Sequence, residues 1–259
     1  MALVECAREG AIAIVTLTNP PLNLVTLELT RMLNEAIAGL AADPSVRVLV
    51  VTGSGDKAFC AGSDIKEFPE MMDAGTVVPR KLATENEAWN RIDDFPRPTI
   101  AALNGLAYGG GLEMAMCCDL IVAEAGTHVA LPEIKLGVFP GTGGTIRAMR
   151  RIGEARAKEM MFFGEKLPVE TALDWGLINR VVPRGGALAT AMDMARELAK
   201  RPAVALQLLK QSADMAFDMA QAASIRAALQ LSDQAFASED CGEGVRAFFE
   251  KRAPSFRHR

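Results

Sequence analysis

Val46 to Thr52, VRVLVVT, is the stretch that most restricts the fold. Its apolar side chains run almost without interruption, the pattern of a strand buried on both faces, and such a strand needs covering layers above and below. The flanking segments supply them. Ala11 to Leu17, AIAIVTL, is a β-rich run ending at the turn signal Asn19-Pro20-Pro21. Thr26 to Leu40 has helical periodicity through Leu29, Leu33 and Ile37, and Asp43-Pro44 stops it. Lys66 to Arg80, polar and methionine-bearing with Gly75 and Pro79, reads as a mobile loop. Thr84 to Ile92 predicts a helix broken by Pro96 and Pro98, and Thr99–Leu103, Leu120–Ala123 and Thr127–Leu131 predict strands. Short strands, each followed by a turn and a helix, suggest stacked β-β-α units more than one simple doubly wound sheet.

Beyond Gly144 the pattern becomes almost entirely helical. Glu154–Phe163, Pro168–Trp175, Gly186–Lys200, Pro202–Ala220 and Ser224–Phe236 carry helical spacing or helix-start signals. Met160, Met161, Phe162, Phe163, Met215, Phe217 and Met219 recur on these stripes and read individually as core packing. Collectively, so much apolar helical surface also suits burial against another subunit.

A chain of 259 residues, half of them hydrophobic, can bury a large core in one domain or two. The net charge of −4 gives no global signal for nucleic acid or anionic membranes. MALVECAREG lacks the pattern of a signal peptide, and no apolar run reaches the ~20 residues of a membrane span. Five cysteines, an odd count, read as reduced thiols in the cytoplasm. With no CxxC pair and only two histidines, a metal site is not expected. A Cys60–His128 nucleophilic pair competes with the plainer reading of Cys60 as an inert small hydrophobe.

Chemistry concentrates in three segments. Asn104 to Asp119, NGLAYGGGLEMAMCCD, runs three glycines into an apolar segment whose one acid before Asp119 is Glu113. Glycines at a helix start let a ligand approach backbone N–H groups closely, and Glu113 lies about one turn past Gly110. N–H donors beside a carboxylate suit a reaction that builds negative charge on a carbonyl oxygen. The plain alternative is a glycine-rich helix start packed on a sheet, with Glu113 buried and satisfied. In AFCAGSDI, Gly62 permits a backbone angle that aims the Ser63 N–H outward. In LPEIKLGVFPGTGGT, Glu133 follows a proline and precedes a second glycine cluster.

These segments, in this order and spacing, resemble the enoyl-CoA hydratase/isomerase (crotonase) family. The resemblance runs from NPPLNLV to VRAFFEKRAPSF. It implies an α/β fold, a crotonase-type spiral of β-β-α turns over residues 1–198, with a helical C-terminal trimerisation region over 199–259. It implies an acyl-CoA thioester substrate, no cofactor beyond the coenzyme A of the substrate, and a homotrimer or dimer of trimers. Ser63 and Gly110 would give the two oxyanion-hole N–H groups, although many family hydratases carry alanine where Ser63 stands. Glu113 would activate water, Glu133 would protonate Cα, and the Gly141 N–H would help hold the water. Leu22, Leu24 and the stretch Ser63, Asp64, Ile65, Lys66 would border coenzyme A, and Lys251 or Arg252 would meet its phosphates. Tyr108 reads as packing first and acyl-pocket lining second. Two acids favour hydration of a 2-enoyl-CoA over isomerisation, because family isomerases commonly keep only the acid at Glu133. Some family members bind RNA, but the helix from Thr26 to Leu40 offers only Arg31 as a basic residue. A catalytically silent acyl-CoA-binding member is the third reading, against which both glutamates speak. Glu133 has a plain alternative too, a salt bridge to Arg147 or Lys135.

Overall fold

The computed structural model of the protein describes residues 2–259. The strands form two sheets. The larger contains β1 (Val4–Glu9), β2 (Ile12–Leu17), β3 (Val48–Gly53), β5 (Thr99–Leu103), β7 (Leu120–Glu124) and β10 (Arg180–Val182), in that order. The β1/β2 pair is antiparallel and the other neighbours are parallel. The smaller sheet orders β4 (Ala58–Cys60), β6 (Leu106–Tyr108), β8 (His128–Ala130) and β9 (Leu167–Pro168).

The connectivity realises the expected β-β-α turns. In each of three successive pairs, β3/β4, β5/β6 and β7/β8, the first strand enters the large sheet and the second the small one. Helices follow each pair: α2 (Phe68–Asp73) and α3 (Ala83–Asp93), then α4 (Gly110–Met116), then α5 (Gly144–Phe163). Each turn therefore begins a new layer beside the last, and the chain advances as a spiral.

β3 shows why its sequence reads as uninterrupted apolar character. Leu49 and Val51 join a core with Leu29, Leu33 and Ile37 of α1 (Leu27–Ala42) and Trp89 of α3. Val48 and Val50 face the other way, against Ala187, Ala191, Met192 and Ala195 of α7 (Ala187–Ala199). Alternate side chains thus meet helices on both faces, each such aliphatic burial stabilising by about 1.5–3 kcal/mol. α1 starts where expected because the Thr26 hydroxyl accepts from the Leu29 N–H, and Asp43 ends it.

Several elements differ from the sequence reading. Lys66 to Arg80 is not a structureless loop. It holds a 3-10 turn at Ile65–Glu67, then α2, then a wide π turn at Val78–Leu82 that runs into α3. The polarity of the stretch hid helical turns that bury little besides Met71 and Lys81. The expected helix over Glu154–Phe163 is the second half of α5; Gly153, at φ 77° and ψ 165°, breaks it from a first half beginning at Gly144 that the sequence reading lacked. β1, β10 and α10 (Glu239–Glu250) carried no recognised signal.

Core packing is correct for Met160 and Met161 but not for Phe162, Phe163, Phe217 and Met219, which are exposed. The last helices, α8 (Ala203–Asp214), α9 (Gln221–Phe236) and α10, leave Leu209, Ile225, Leu229, Phe236, Phe248 and Phe249 open, Phe248 at 79%. No helix among the described residues is long and apolar enough to cross a membrane.

Candidate active site

Both sheets deliver chain to one place, the N-terminal end of α4. β6 leads directly into Gly109, whose φ of 50° and ψ of −129° turn the chain into the helix. Gly111 must lack a side chain, since a Cβ there would lie 2.2 Å from the Cys60 carbonyl oxygen on β4. Gly110 is the first residue of α4, and N–H groups of a first helical turn have no intrahelical acceptor. Trp89 Nε1 donates to the Gly110 carbonyl at 3.1 Å and fixes the glycine from behind.

The AGSDI segment reaches the same point. Val25 pairs in parallel with Ser63: the Val25 N–H donates to Gly62 O at 2.9 Å, and the Asp64 N–H donates to Val25 O at 2.8 Å. A parallel bridge of this kind uses the groups flanking Ser63, so the Ser63 N–H points away from Val25. Ser63 lies beside Gly110: a Cβ on Gly110 would lie 3.9 Å from Ser63 N and 3.6 Å from Ser63 Oγ. Ser63 and Gly110, far apart in sequence, therefore border one opening.

The two acids flank this opening in contrasting environments. Glu113, 2% exposed, sits in the first turn of α4. Its Oε1 accepts the Thr142 N–H at 2.9 Å and the Gly144 N–H at 2.8 Å, and its Oε2 accepts the Thr142 hydroxyl. Burial pushes the Glu113 carboxyl up, and these three donors oppose that by stabilising the ionised form but do not cancel it. Glu133 opens a 3-10 turn after β8. It reaches back to Gly109, where a Cβ would lie 2.9 Å from its Oε1. Its Oε2 is buried without a hydrogen-bond partner. Burial first, and then the nearby charge of Glu113, push Glu133 up to about 7.

The salt-bridge alternative for Glu133 is overturned. Lys135 pairs with Glu165 at 2.8 Å and Arg147 with Asp93 at 2.7 Å, leaving Glu133 without either cation. The Cys60–His128 pair also fails as a nucleophile, because complete burial drives the Cys60 thiol up to about 12 and no thiolate forms near neutrality. The plain reading of Glu113, buried and satisfied, holds for its hydrogen bonds; Glu133 is the acid that structure alone leaves unexplained.

The remaining candidates scatter more. Gly141 directly precedes Thr142, the donor to Glu113, and its carbonyl accepts from Asn86 Nδ2 at 3.0 Å. Leu22 O accepts the Ala61 N–H, which ties the NPPLNLV segment to AGSDI. Asp64 caps the 3-10 turn by accepting the Lys66 N–H, while Ile65 and Lys66 are exposed beside Ser63 and Leu24 is half-buried. Tyr108 is half-buried and burial raises its phenol. Arg252 is engaged by Glu243 and Glu250, so of the basic pair only Lys251 lacks an ion pair among the described residues. Sequence reasoning missed Thr142, Asn86, Lys81 and Glu85; only the i, i+4 spacing of the last two carried any signal.

A spiral of β-β-α turns that gathers two backbone donors and two carboxyl groups at one helix start defines a class of enzyme acting on activated carbonyl compounds. The enoyl-CoA hydratase/isomerase family model matches residues 7–259, and the chain belongs to that family. It is 38% identical over 258 residues to a probable enoyl-CoA hydratase of Mycobacterium bovis, covering 99% of this chain and 98% of the relative. It is 35% identical over 260 residues to the 2,3-dehydroadipyl-CoA hydratase of Escherichia coli, with 100% of both chains covered. The crystal structure of an enoyl-CoA hydratase from Bacillus anthracis superposes with a TM-score of 0.95 over 100% of both chains at 29% identity.

Proposed function

We propose that this enzyme is a hydro-lyase that adds water across the double bond of a 2-enoyl-CoA to give the 3-hydroxyacyl-CoA. The observation that carries the reading is the contrast between the two carboxyl groups at the start of α4. Glu113 has three donors that favour its ionised form, whereas Glu133 has an orphaned buried oxygen and titrates at about 7. Hydration needs one base and one acid at once, and environments that separate two like groups supply both.

In this reading the thioester oxygen accepts the Ser63 and Gly110 N–H groups, which are held by the β-bridge and the helix start and need little reorganisation as charge develops. Ionised Glu113 takes a proton from water while the water oxygen bonds to Cβ, and the π electrons move onto the thioester as an enolate. Glu133 then gives its proton to Cα. Transfer of the proton from Glu113 back to Glu133 resets the pair. The Gly141 N–H, one residue before the Thr142 N–H that Glu113 accepts, would hold the attacking water, with the Gly141 carbonyl braced by Asn86. Exposed Ile65 and Lys66, with Leu22, Leu24 and Asp64 behind them, form the side along which the coenzyme A would lie. No metal or redox cofactor is required by these steps.

The apolar faces of α8 to α10 support assembly as a trimer or dimer of trimers, with residues 199–259 as the oligomerising region; elution near the monomer mass of 27.7 kDa would refute it. The five unpaired cysteines support a reducing, cytoplasmic location.

The test is hydration of a panel of 2-enoyl-CoAs by the wild type and by Glu113→Gln and Glu133→Gln. Each variant should lose about 10²- to 10⁴-fold in kcat, the usual worth of a positioned acid or base. A wild type that hydrates none of them but shifts a 3-enoyl-CoA to the 2-isomer would make it an isomerase instead.

A further inference from the structure

A buried cluster of charge beside the site takes no part in the proton steps. Lys81 is completely buried in the π turn ahead of α3. Its ammonium donates to Val25 O at 2.9 Å and to Glu67 Oε2 at 2.6 Å, and lies 3.2 Å from Glu85 Oε1. That same Glu85 oxygen accepts the Ser63 hydroxyl at 2.8 Å, and Glu85 is 1% exposed. Glu67 Oε1 also accepts the Leu27 N–H at 3.2 Å, at the head of α1.

Burying such a cluster costs several kcal/mol per ion, so apolar side chains of similar size would fill this space at least as well. What the cluster grips is specific. Lys81 holds the carbonyl of Val25, the residue bridged to Ser63, and Glu85 holds the Ser63 side chain. Both contacts close on Ser63, directly or through its bridge partner Val25, and Ser63 lies beside Gly110. An alanine at this position would offer Glu85 nothing to hold.

We propose that Lys81 and Glu85 are positioning residues that fix the Ser63 N–H on the thioester oxygen, one through the Val25 carbonyl and the other through the Ser63 hydroxyl. The inference rests on the oxyanion-hole reading of Ser63 and Gly110. Glu67 anchors the ammonium from its other side and ties the arrangement to α1. The cluster thus couples the substrate-facing turn 65–67, the π turn and the head of α1 into one rigid frame around a single backbone donor.

The test uses the full-length enzyme with 4-(dimethylamino)cinnamoyl-CoA, an enoyl thioester whose absorption moves to longer wavelength as its carbonyl is polarised, alongside hydration kinetics. The variants are Glu85→Gln, Glu85→Leu and Lys81→Met. Glutamine still accepts from the Ser63 hydroxyl, so Glu85→Gln should keep most of the red shift and stay within about threefold of wild-type kcat. Glu85→Leu and Lys81→Met fill the same space but release Ser63. Each should lose much of the red shift and about tenfold in kcat, with KM changed less than about twofold, because misplacing a group by 1 Å can cost ~100-fold. If these two variants do not fold, Ser63→Ala removes the gripped hydroxyl alone and must diminish the shift. A Glu85→Leu or Ser63→Ala enzyme with full shift and full kcat overturns the proposal, and so does a Glu85→Gln enzyme as impaired as Glu85→Leu. A wild type that gives no red shift removes the oxyanion-hole reading itself, and this inference with it; a shifted wild type with unaltered variants removes only the inference.

Discussion

Replacing Glu133 by glutamine is expected to slow hydration by about 10²- to 10⁴-fold and yet make the protein more stable above neutral pH. The carboxyl titrates at about 7 in the fold, against 4.5 when unperturbed. At about 1.4 kcal/mol per pH unit, that difference is worth about 3 kcal/mol. Below pH 4.5 both the folded and unfolded chains hold the proton, and glutamine matches the neutral acid in shape and charge. Between 4.5 and 7 the unfolded chain has released the proton while the folded chain still holds it, so wild-type stability falls as pH rises. Above 7 the loss is complete: the folded protein then carries a buried carboxylate whose Oε2 has no donor. Urea unfolding of wild type and Glu133→Gln at pH 5 and pH 9 measures the gap, which should open by about 2.5 kcal/mol in favour of the variant. In thermal melts a gap of that size corresponds to roughly 5–10 °C for a chain of this length. The kinetic counterpart is a kcat/KM for hydration that falls about tenfold per pH unit above 7, as the acid form is lost. A stability gap that stays constant within about 1 kcal/mol from pH 5 to 9 would show that burial does not hold the proton on Glu133, and its assignment as the acid would lose its physical basis.

Other outcomes follow from the same geometry. Thr142→Val removes the hydroxyl donor to Glu113 Oε2, which raises the Glu113 carboxyl further; the acid limb of the kcat/KM profile should move to higher pH, and an unmoved limb would remove Glu113 as the base. Gly111→Ala places a methyl 2.2 Å from the Cys60 carbonyl and should destabilise by at least the ~1–3 kcal/mol of an overpacked core, read as a lowered urea midpoint. Under native conditions a thiol-modifying reagent should label Cys6 and Cys241 only, since Cys60, Cys117 and Cys118 are buried with thiols pushed up; rapid labelling of all five would contradict that packing.

Local patterns carried much of the fold. The unbroken apolar run of β3 announced a two-faced burial, and the helix over Leu27–Ala42 was bounded correctly by its threonine cap and its Asp-Pro stop. Polar helical turns such as α2 were illegible because they bury almost nothing and so show no periodicity. The phenylalanines of the C-terminal helices were misread as core for the converse reason. Periodicity reports that a face is apolar, not what covers it.

The site divided along the same line. Ser63, Gly110, Glu113 and Glu133 were singled out by resemblance and the structure brings them together, while the glycine triplet stood out from chemistry, because a run without side chains at a helix start admits few uses. Local pattern alone supplied the inventory: two acids, a glycine-rich helix start, and a buried strand that forces a layered α/β fold. Only the tertiary structure decided the surroundings of the two acids: the donors to Glu113 lie 29 and 31 positions away, while burial and the nearby charge of Glu113 push Glu133 up. The same holds for Lys81 and Glu85, whose hold on Val25 and Ser63 spans 56 and 22 positions. A charge's environment is set by what the fold brings near it, and no local pattern in the chain encodes that distance.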